Sequence, residues 1–239
     1  CKKYEIRSII GMELYVKLGS KKFNLLWYNF NDDAPELHDM LRDSQVRRRK
    51  MARKVLNGLL KKGFKFDVNK ILDKYTHYVP ITHVVDDVME NKSNMNKIRK
   101  DLGMQFPREE HVIEKYFHDP RIGELKPSYI NFERVIELRK KIGGKLVLCH
   151  PAKHRHINYD FWKKLKSLGL DGVELLSPHH SYGAVMYIQQ LERELSVIET
   201  GGSDFHRYEG HNHLIQHAWQ YFKINSKYLK GVEKIIKHH

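Results

Sequence analysis

From residue 132 to residue 200 the chain alternates between helix-like and strand-like segments, and this alternation restricts the fold more than any other feature. Segments with apolar residues three and four positions apart are each followed, after a short loop, by a short, largely apolar run. Strands joined by helices are parallel neighbours in one sheet, because a helical crossover returns the chain to the same end of the sheet. We therefore predict an α/β fold. The predicted order is helix 132–142, strand 146–149, helix 159–168, strand 172–176, helix 184–195 and strand 197–200.

The first half of the chain has a different pattern. Two strand-like runs, 9–16 and 23–30, are joined by a glycine-containing turn and predict a β-hairpin. Residues 35–127 show helical spacing, interrupted by prolines and polar clusters, without strand alternation. We therefore expect residues 35–127 to be a helical insertion subdomain, and residues 1–34 and 128–239 to form the α/β domain. Four consecutive basic residues, 47–50, are either a solvated helix face or an anion-binding patch.

Residues able to bind a metal follow the predicted strands. His150 comes directly after one strand, and Asp204 and His206 follow another. Because the carboxyl ends of parallel strands meet at one edge of a sheet, we expect these side chains to lie close together. Glu13 interrupts an apolar strand and, if buried, needs a polar partner. Carboxylates and imidazoles are common metal ligands, so the set predicts a shared metal site, although His150 in a turn and Glu13 facing water are the alternatives.

Composition favours some partners over others. Lys and Arg number 43 against 29 Asp and Glu, so the formal net charge is +14. This charge favours nucleic acid or phosphorylated metabolites, but a lysine-rich solvated surface explains it equally well. No run approaches the roughly 20 apolar residues of a membrane span, and the start lacks a signal-peptide pattern. We expect a cytoplasmic protein that does not contact the membrane. Because the chain begins within a strand-like run and without Met, we also expect a preceding segment.

Four motifs, in this order and spacing, resemble those of the PHP (polymerase and histidinol phosphatase) family. They are similar above all to the branch that contains nucleoside 3′,5′-bisphosphate phosphatase and the RNA exonuclease RNase AM. The resemblance implies a distorted, TIM-like (β/α)7 barrel with a helical insertion, here incomplete at its N-terminus. The motifs are Gly11-Met12-Glu13, Leu148-Cys149-His150-Pro151, residues 169–174 with Pro178-His179-His180-Ser181, and residues 201–206.

The resemblance also implies a set of metal ligands. The family holds up to three divalent ions, such as Mn, Zn, Fe or Mg, by nine His, Asp and Glu positions. Glu13, His150, Asp204 and His206 match four of these positions, and four others would precede Cys1. Asn24 stands at the ninth, where the family has His; an amide oxygen is a poorer ligand than imidazole for a transition metal.

Substrate-binding residues are implied in the same way. His179, His180 and Ser181 lie in the loop that corresponds to the family's His-Pro-Ser-His-Ser, and Lys153 stands where the family often has Arg. In the insertion, His83 matches the His of an Arg-Pro-His motif. The catalytic roles expected are charge neutralisation at the phosphoryl group by Lys153 and His180, with His180 also protonating the leaving alcohol.

The function predicted from the sequence is hydrolysis of a phosphomonoester or phosphodiester, in a nucleotide or at an RNA or DNA end, by a metal-activated water. The alternative is a degenerate, non-catalytic PHP-like module that binds nucleic acid or a protein partner through its basic insertion. A third hypothesis, an amidohydrolase acting on C–N bonds, ranks last because no carbamylated-lysine type of motif supports it. The sequence does not indicate an oligomeric state.

Overall fold

The computed structural model describes residues 2–6, 8–154, 157–205 and 224–236. The chain divides into two compact units, which we call the sheet unit and the helical unit. The sheet unit is built from Cys1–Leu37 and Tyr129–His239, and the helical unit from His38–Ser128. Within the described residues, no helix is long and apolar enough to cross a membrane.

The sheet unit contains one six-stranded sheet with the order β3-β1-β2-β4-β5-β6. β1 and β2 form the predicted antiparallel hairpin, and β2 pairs antiparallel with β4. β4, β5 and β6 are parallel neighbours, which confirms the interpretation of the helix–strand alternation. The described strands do not by themselves show a closed barrel. The strands are β1 (Gly11–Leu18), β2 (Lys21–Tyr28), β3 (Ile130–Asn131), β4 (Lys145–Leu148), β5 (Gly172–Leu176) and β6 (Ile198–Gly201).

Alternation along the hairpin gives the sheet two different faces. One face is apolar and packs against the helices α6 (Phe132–Ile142) and α7 (Tyr159–Leu168). There the ring centroid of Phe23 lies 5.6 Å from those of both Phe132 and Phe161. The other face carries the polar side chains of the candidate site. The buried face of the hairpin comprises Leu14, Val16, Leu18, Phe23, Leu25 and Trp27.

The remaining helices of the sheet unit connect and flank the strands. The helix α8 (Tyr182–Leu195) joins β5 to β6, and α9 (Glu233–Ile236) places Ile235 against Val147 and Ile198. Single helical turns are formed by Lys2–Tyr4, Pro151–Lys153 and Ser226–Tyr228.

The helical unit packs around a core built from its own helices. The core includes Val55, Leu59, Val84 and Ile98, each with 0% exposure. The Asp67 side chain accepts the N–H groups of Asn69 and Lys70 and so caps the N-terminus of α2 (Val68–Asp73). Gly103, with a φ of 65°, ends α4 (Lys92–Leu102). Its helices are α1 (Pro35–Lys61, of which residues 38–61 lie here), α2 (Val68–Asp73), α3 (Ile81–Met89), α4 (Lys92–Leu102) and α5 (Glu109–Val112), the last followed by a π-helical turn, Ile113–Phe117.

The basic run at residues 47–50 is not a uniform solvated face. Arg48 is 2% exposed and donates hydrogen bonds to the carbonyls of Val79, Leu125 and Lys126. Arg49 donates to the carbonyl of Leu72 and pairs with a carboxylate. Arg48 and Arg49 therefore serve mainly to satisfy backbone carbonyls within the helical unit, and the solvated-face interpretation is wrong for Arg48.

Candidate metal centre

Glu13 and Asn24 meet on the polar face of the hairpin. The register pairs Tyr15 with Asn24, so Glu13 lies one diagonal step from Asn24 on the same face. The Asn24 amide donates a hydrogen bond of 2.5 Å to Oε1 of Glu13. Glu13 is only partly buried, because 27% of its side chain is exposed. It nevertheless has polar partners on the sheet.

His150 approaches the same carboxylate from the end of β4. Its Nε2 lies 3.5 Å from Oε1 of Glu13, and only 3% of its side chain is exposed. Its φ is 25°, in the left-handed region that non-glycine residues adopt at a cost of roughly 1–3 kcal/mol. Within the part of the chain that the structure describes, Nδ1 is buried without a hydrogen-bond partner. A buried imidazole held in a strained backbone has the characteristics of a functional residue.

The distance between Glu13 and His150 fits a shared metal ion. Two ligand atoms about 2.1 Å from one ion, at a tetrahedral angle, lie about 3.4 Å apart, and the observed separation is 3.5 Å. The ligand atoms of Glu13, Cys149 and His150 all lie within 4.8 Å of one another. Burial, followed by the Glu174 carboxylate, raises the pKa of the Cys149 thiol, so the thiol stays protonated and is a poor ligand. Glu13 and His150 are therefore the two residues of this group best suited to bind a metal.

Asp204 is held beside this pair by two nitrogen donors. Lys153 Nζ lies 2.8 Å, and His179 Nε2 2.6 Å, from the same Oδ2 atom. Burial raises the pKa of Asp204, but the hydrogen bond and charge of Lys153 outweigh it and the net pKa is lowered, which keeps the carboxylate ionised. The His179 ring centroid lies 5.6 Å from that of His150. These contacts gather Asp204, Lys153 and His179 next to His150.

His180 has a defined protonation pattern. Its Nδ1–H donates a 2.8 Å hydrogen bond to the carbonyl of Leu175, and its Nε2 is buried without a partner among the described residues. Burial lowers the pKa of His180, so the neutral ring carries its lone pair on Nε2. In this arrangement His180 is suited to act as a ligand or proton acceptor, whereas the sequence predicts a proton donor.

Ser181 is the N-cap of α8, where its hydroxyl accepts from the Ala184 N–H at 3.2 Å. His83 lies in the helical unit, exposed on α3, with its ring 6.2 Å from that of Tyr75. The predicted ligand His206 lies outside the described residues. The structure thus brings together Glu13, Asn24 and His150, and also Asp204 with Lys153 and His179.

Sequence reasoning missed one residue of this cluster, Glu174 on β5. It is 4% exposed, and its Oε2 accepts the His150 N–H at 2.8 Å and the Cys149 thiol at 3.6 Å. A Cβ on Gly202 would lie 2.8 Å from its Oε1, so a larger residue there would displace the Glu174 carboxylate. Burial raises the pKa of Glu174. The available signal was a glutamate inside an apolar strand, the same signal that identified Glu13.

Comparison with known proteins identifies the fold. No model of a known protein family matches the chain, and no curated protein matches it. A protein provisionally named as a metal-dependent phosphoesterase, from Bifidobacterium adolescentis, has a similar structure, with a TM-score of 0.66 and 15% identity over 86% of this chain and 70% of that one. An amidohydrolase from Chromobacterium violaceum, with sulfate bound and no metal, gives a TM-score of 0.62 and 18% identity over 84% and 68%. The likeness is one of fold.

Proposed function

We propose that this chain is a metal-dependent hydrolase of PHP type, and specifically a phosphoesterase acting on a nucleotide or on an RNA or DNA end. The observation that carries the proposal is the 3.5 Å approach of His150 to Glu13 beside an ionised Asp204. The fold shared with a phosphoesterase and an amidohydrolase supports the hydrolase class. We further propose that the sheet belongs to a distorted (β/α)7 barrel, with the helical unit as its insertion.

In this proposal Glu13, His150 and Asp204 would hold divalent metal, together with His206. A metal held there would supply a Lewis acid and would lower the pKa of water to about 7. Asn24 orients Glu13 through its 2.5 Å hydrogen bond. Glu174 fixes the backbone at His150 by accepting its N–H.

The residues around Asp204 favour an anionic substrate. The Lys153 side chain is 39% exposed, and its ammonium provides a positive charge that can pair with a phosphate oxygen. His179 provides an N–H donor, since its Nε2 contacts a carboxylate that can only accept. A charged ammonium beside the metal ligands suits a phosphate substrate better than a neutral amide substrate. We therefore rank the phosphoesterase above the amidohydrolase. His180, with its lone pair on Nε2, is assigned as a ligand or proton acceptor.

A second candidate is the non-catalytic module. Asn24 occupies Oε1 of Glu13, and both Lys153 and His179 occupy Oδ2 of Asp204, so these polar groups satisfy one another without an ion. A protein that had lost its metal would have this internal pairing. Under this alternative the basic helical unit binds nucleic acid or a protein partner.

The deciding experiment measures bound metal by elemental analysis in the natural-length protein, together with phosphate release from a nucleoside 3′,5′-bisphosphate and ammonia release from an amide. Glu13→Ala and Asp204→Ala serve as the ligand-deficient variants. We expect metal and phosphate release to be lost together in both. A natural-length protein that binds no metal and releases no phosphate would refute the proposal and leave the binding module. Release of ammonia alone would move the assignment to amide hydrolysis.

A further inference from the structure

The surface of the helical unit carries positive charge that its own contacts do not consume. Residues 44–66 contain nine Lys and Arg and no Asp or Glu. Arg48 and Arg49 donate to backbone carbonyls and are accounted for. The exposed lysines of the same segment have no comparable role in the packing of the unit.

Three of these lysines lie along one groove. A cavity of about 520 Å³ is lined by Lys50, Arg53, Lys54 and Lys61 of α1 and by Arg121. Spacings of three, four and seven residues place the four basic residues of α1 on one helix face. Among the described residues, no carboxylate lies within 4 Å of the ammonium groups of the three lysines. The three lysines therefore form a row of uncompensated positive charge.

The groove exists because a loop lies directly on α1. A Cβ on Gly58 would lie 2.3 Å from the carbonyl oxygen of Ile122, so only glycine allows this approach. In the loop, Asp119 binds Arg121 with two short contacts, Nε to Oδ1 and Nη2 to Oδ2, both 2.9 Å. The Arg121 side chain stays 86% exposed. The loop thus places a guanidinium at the groove that the lysines line.

A second groove continues from the first. A cavity of about 320 Å³ shares Arg121 and Ile122 with it and adds Lys62, Lys97 and Lys115. Its two carboxylates are already paired, Asp101 with Lys97 and Asp119 with Arg121. The net charge along both grooves therefore stays strongly positive. We call the two together the basic double groove.

We propose that the basic double groove binds the sugar–phosphate backbone of single-stranded nucleic acid. From Lys50 to Lys61 the helix rises about 16 Å, and five basic side chains line this groove, so it can neutralise about five phosphates of one strand. A flexible strand can follow a path around the 119–123 loop, whereas a duplex, with a persistence length of about 150 base pairs, cannot.

The aromatic residue of the double groove, Tyr116, is only 3% exposed and donates its hydroxyl to Asp101. It is not available for base stacking, so we expect binding without sequence preference. The inference does not depend on the proposed hydrolysis, because every residue of the double groove lies in the helical unit.

The test is fluorescence anisotropy of a labelled oligouridine of about 20 nucleotides, with EDTA present so that the metal centre is inactive. With about five phosphates neutralised, the logarithm of the association constant should fall with the logarithm of salt concentration with a slope of about −3.5. The double variant Lys50→Glu/Lys61→Glu should bind roughly tenfold more weakly or worse and reduce the slope by more than about 1. The control Lys92→Glu/Lys100→Glu changes the same number of exposed lysines on α4 and should alter affinity less than about twofold.

Several results would overturn the inference: equal losses in the two double variants, an affinity independent of oligonucleotide length, or equal competition by polyglutamate. The last result would identify an acidic peptide as the ligand, and preferential binding to anionic vesicles would identify a membrane surface. Equal affinity for oligodeoxythymidine would support the proposal, since the contacts are to the backbone. If far-UV circular dichroism shows that the glutamate variant is unfolded, Lys50→Gln/Lys61→Gln replaces it, and a weakened affinity is still required.

Discussion

Glu174 provides the sharpest test of the site, because the sheet contains a second glutamate in a matching environment. Glu174 is 4% exposed and accepts one backbone N–H, from His150, at 2.8 Å. Glu199 on β6 is 2% exposed and accepts one backbone N–H, from Lys230, at 2.9 Å. Burial raises the pKa of both carboxyls. The two differ mainly in that Glu174 is bonded to a proposed metal ligand.

Substitution of each glutamate separates structural from functional effects. Alanine at either position leaves a buried N–H unpaired, which costs about 1–3 kcal/mol, plus a contribution from the cavity. Glutamine keeps an acceptor at the same place, so its stability cost should be about 1 kcal/mol or less. Only at Glu174 should metal affinity fall, by roughly ten- to a hundredfold, as is typical when an outer partner of a ligand is removed.

The assay combines urea unfolding with metal affinity measured by competition against a fluorescent chelator. Glu174→Gln and Glu199→Gln should have similar free energies of unfolding, and only the first should bind metal more weakly. If metal affinity is unchanged in both variants, Glu174 has no positioning role. If both variants lose metal affinity equally, the effect is one of general stability.

Three further predictions concern other parts of the molecule. Asn24→His places an imidazole beside Glu13 and should raise metal affinity, measured with the same chelator; unchanged affinity would argue against a ligand position there. Gly58→Ala should destabilise the protein by about 1–3 kcal/mol, because the clash with the Ile122 carbonyl outweighs the gain of about 1 kcal/mol in helix propensity; a stabilised variant would disprove the close approach. Because the folded state raises the pKa of Glu199, the unfolded chain loses this proton first, and stability should decline as pH rises above about 4.5. Glu199→Gln should remove that part of the decline in urea titrations at several pH values, and an unchanged profile would contradict the assignment.

The parts of the fold that could be predicted are those determined by local periodicity. The hairpin and the parallel order of β4, β5 and β6 follow from alternation and from helical crossovers, and both are observed. The two-residue strand β3 could not be predicted, because two residues carry no period and the strand exists through its pairing with Val16 and Lys17. Closure of the sheet depends on segments that the sequence pattern does not specify.

Side-chain environments were harder to predict than elements. In the sequence the run 47–50 is one basic feature, but successive helix residues point 100° apart, so Arg48 shares a buried face with Ala52, Val55 and Leu59. Glu13 and Glu174 gave the same sequence signal, a carboxylate in an apolar strand. One is partly exposed beside His150 and the other is buried behind it, a difference that depends on neighbours distant in sequence.

The helical unit lies in the chain between the two halves of the candidate metal centre, and this has a consequence for the order of folding. Asn24 and His150 are about 125 residues apart, and closing a flexible loop of that length costs about 4 kcal/mol of chain entropy beyond a constant. If the roughly 90 residues of the helical unit fold first, the flexible length falls to about 35 residues and the cost by about 1 kcal/mol. During synthesis the hairpin emerges first, then the helical unit, and then β4 with its histidine. In that order of synthesis, His150 reaches Glu13 and Asn24 only after the helical unit has compacted, so the candidate metal centre is assembled late in folding.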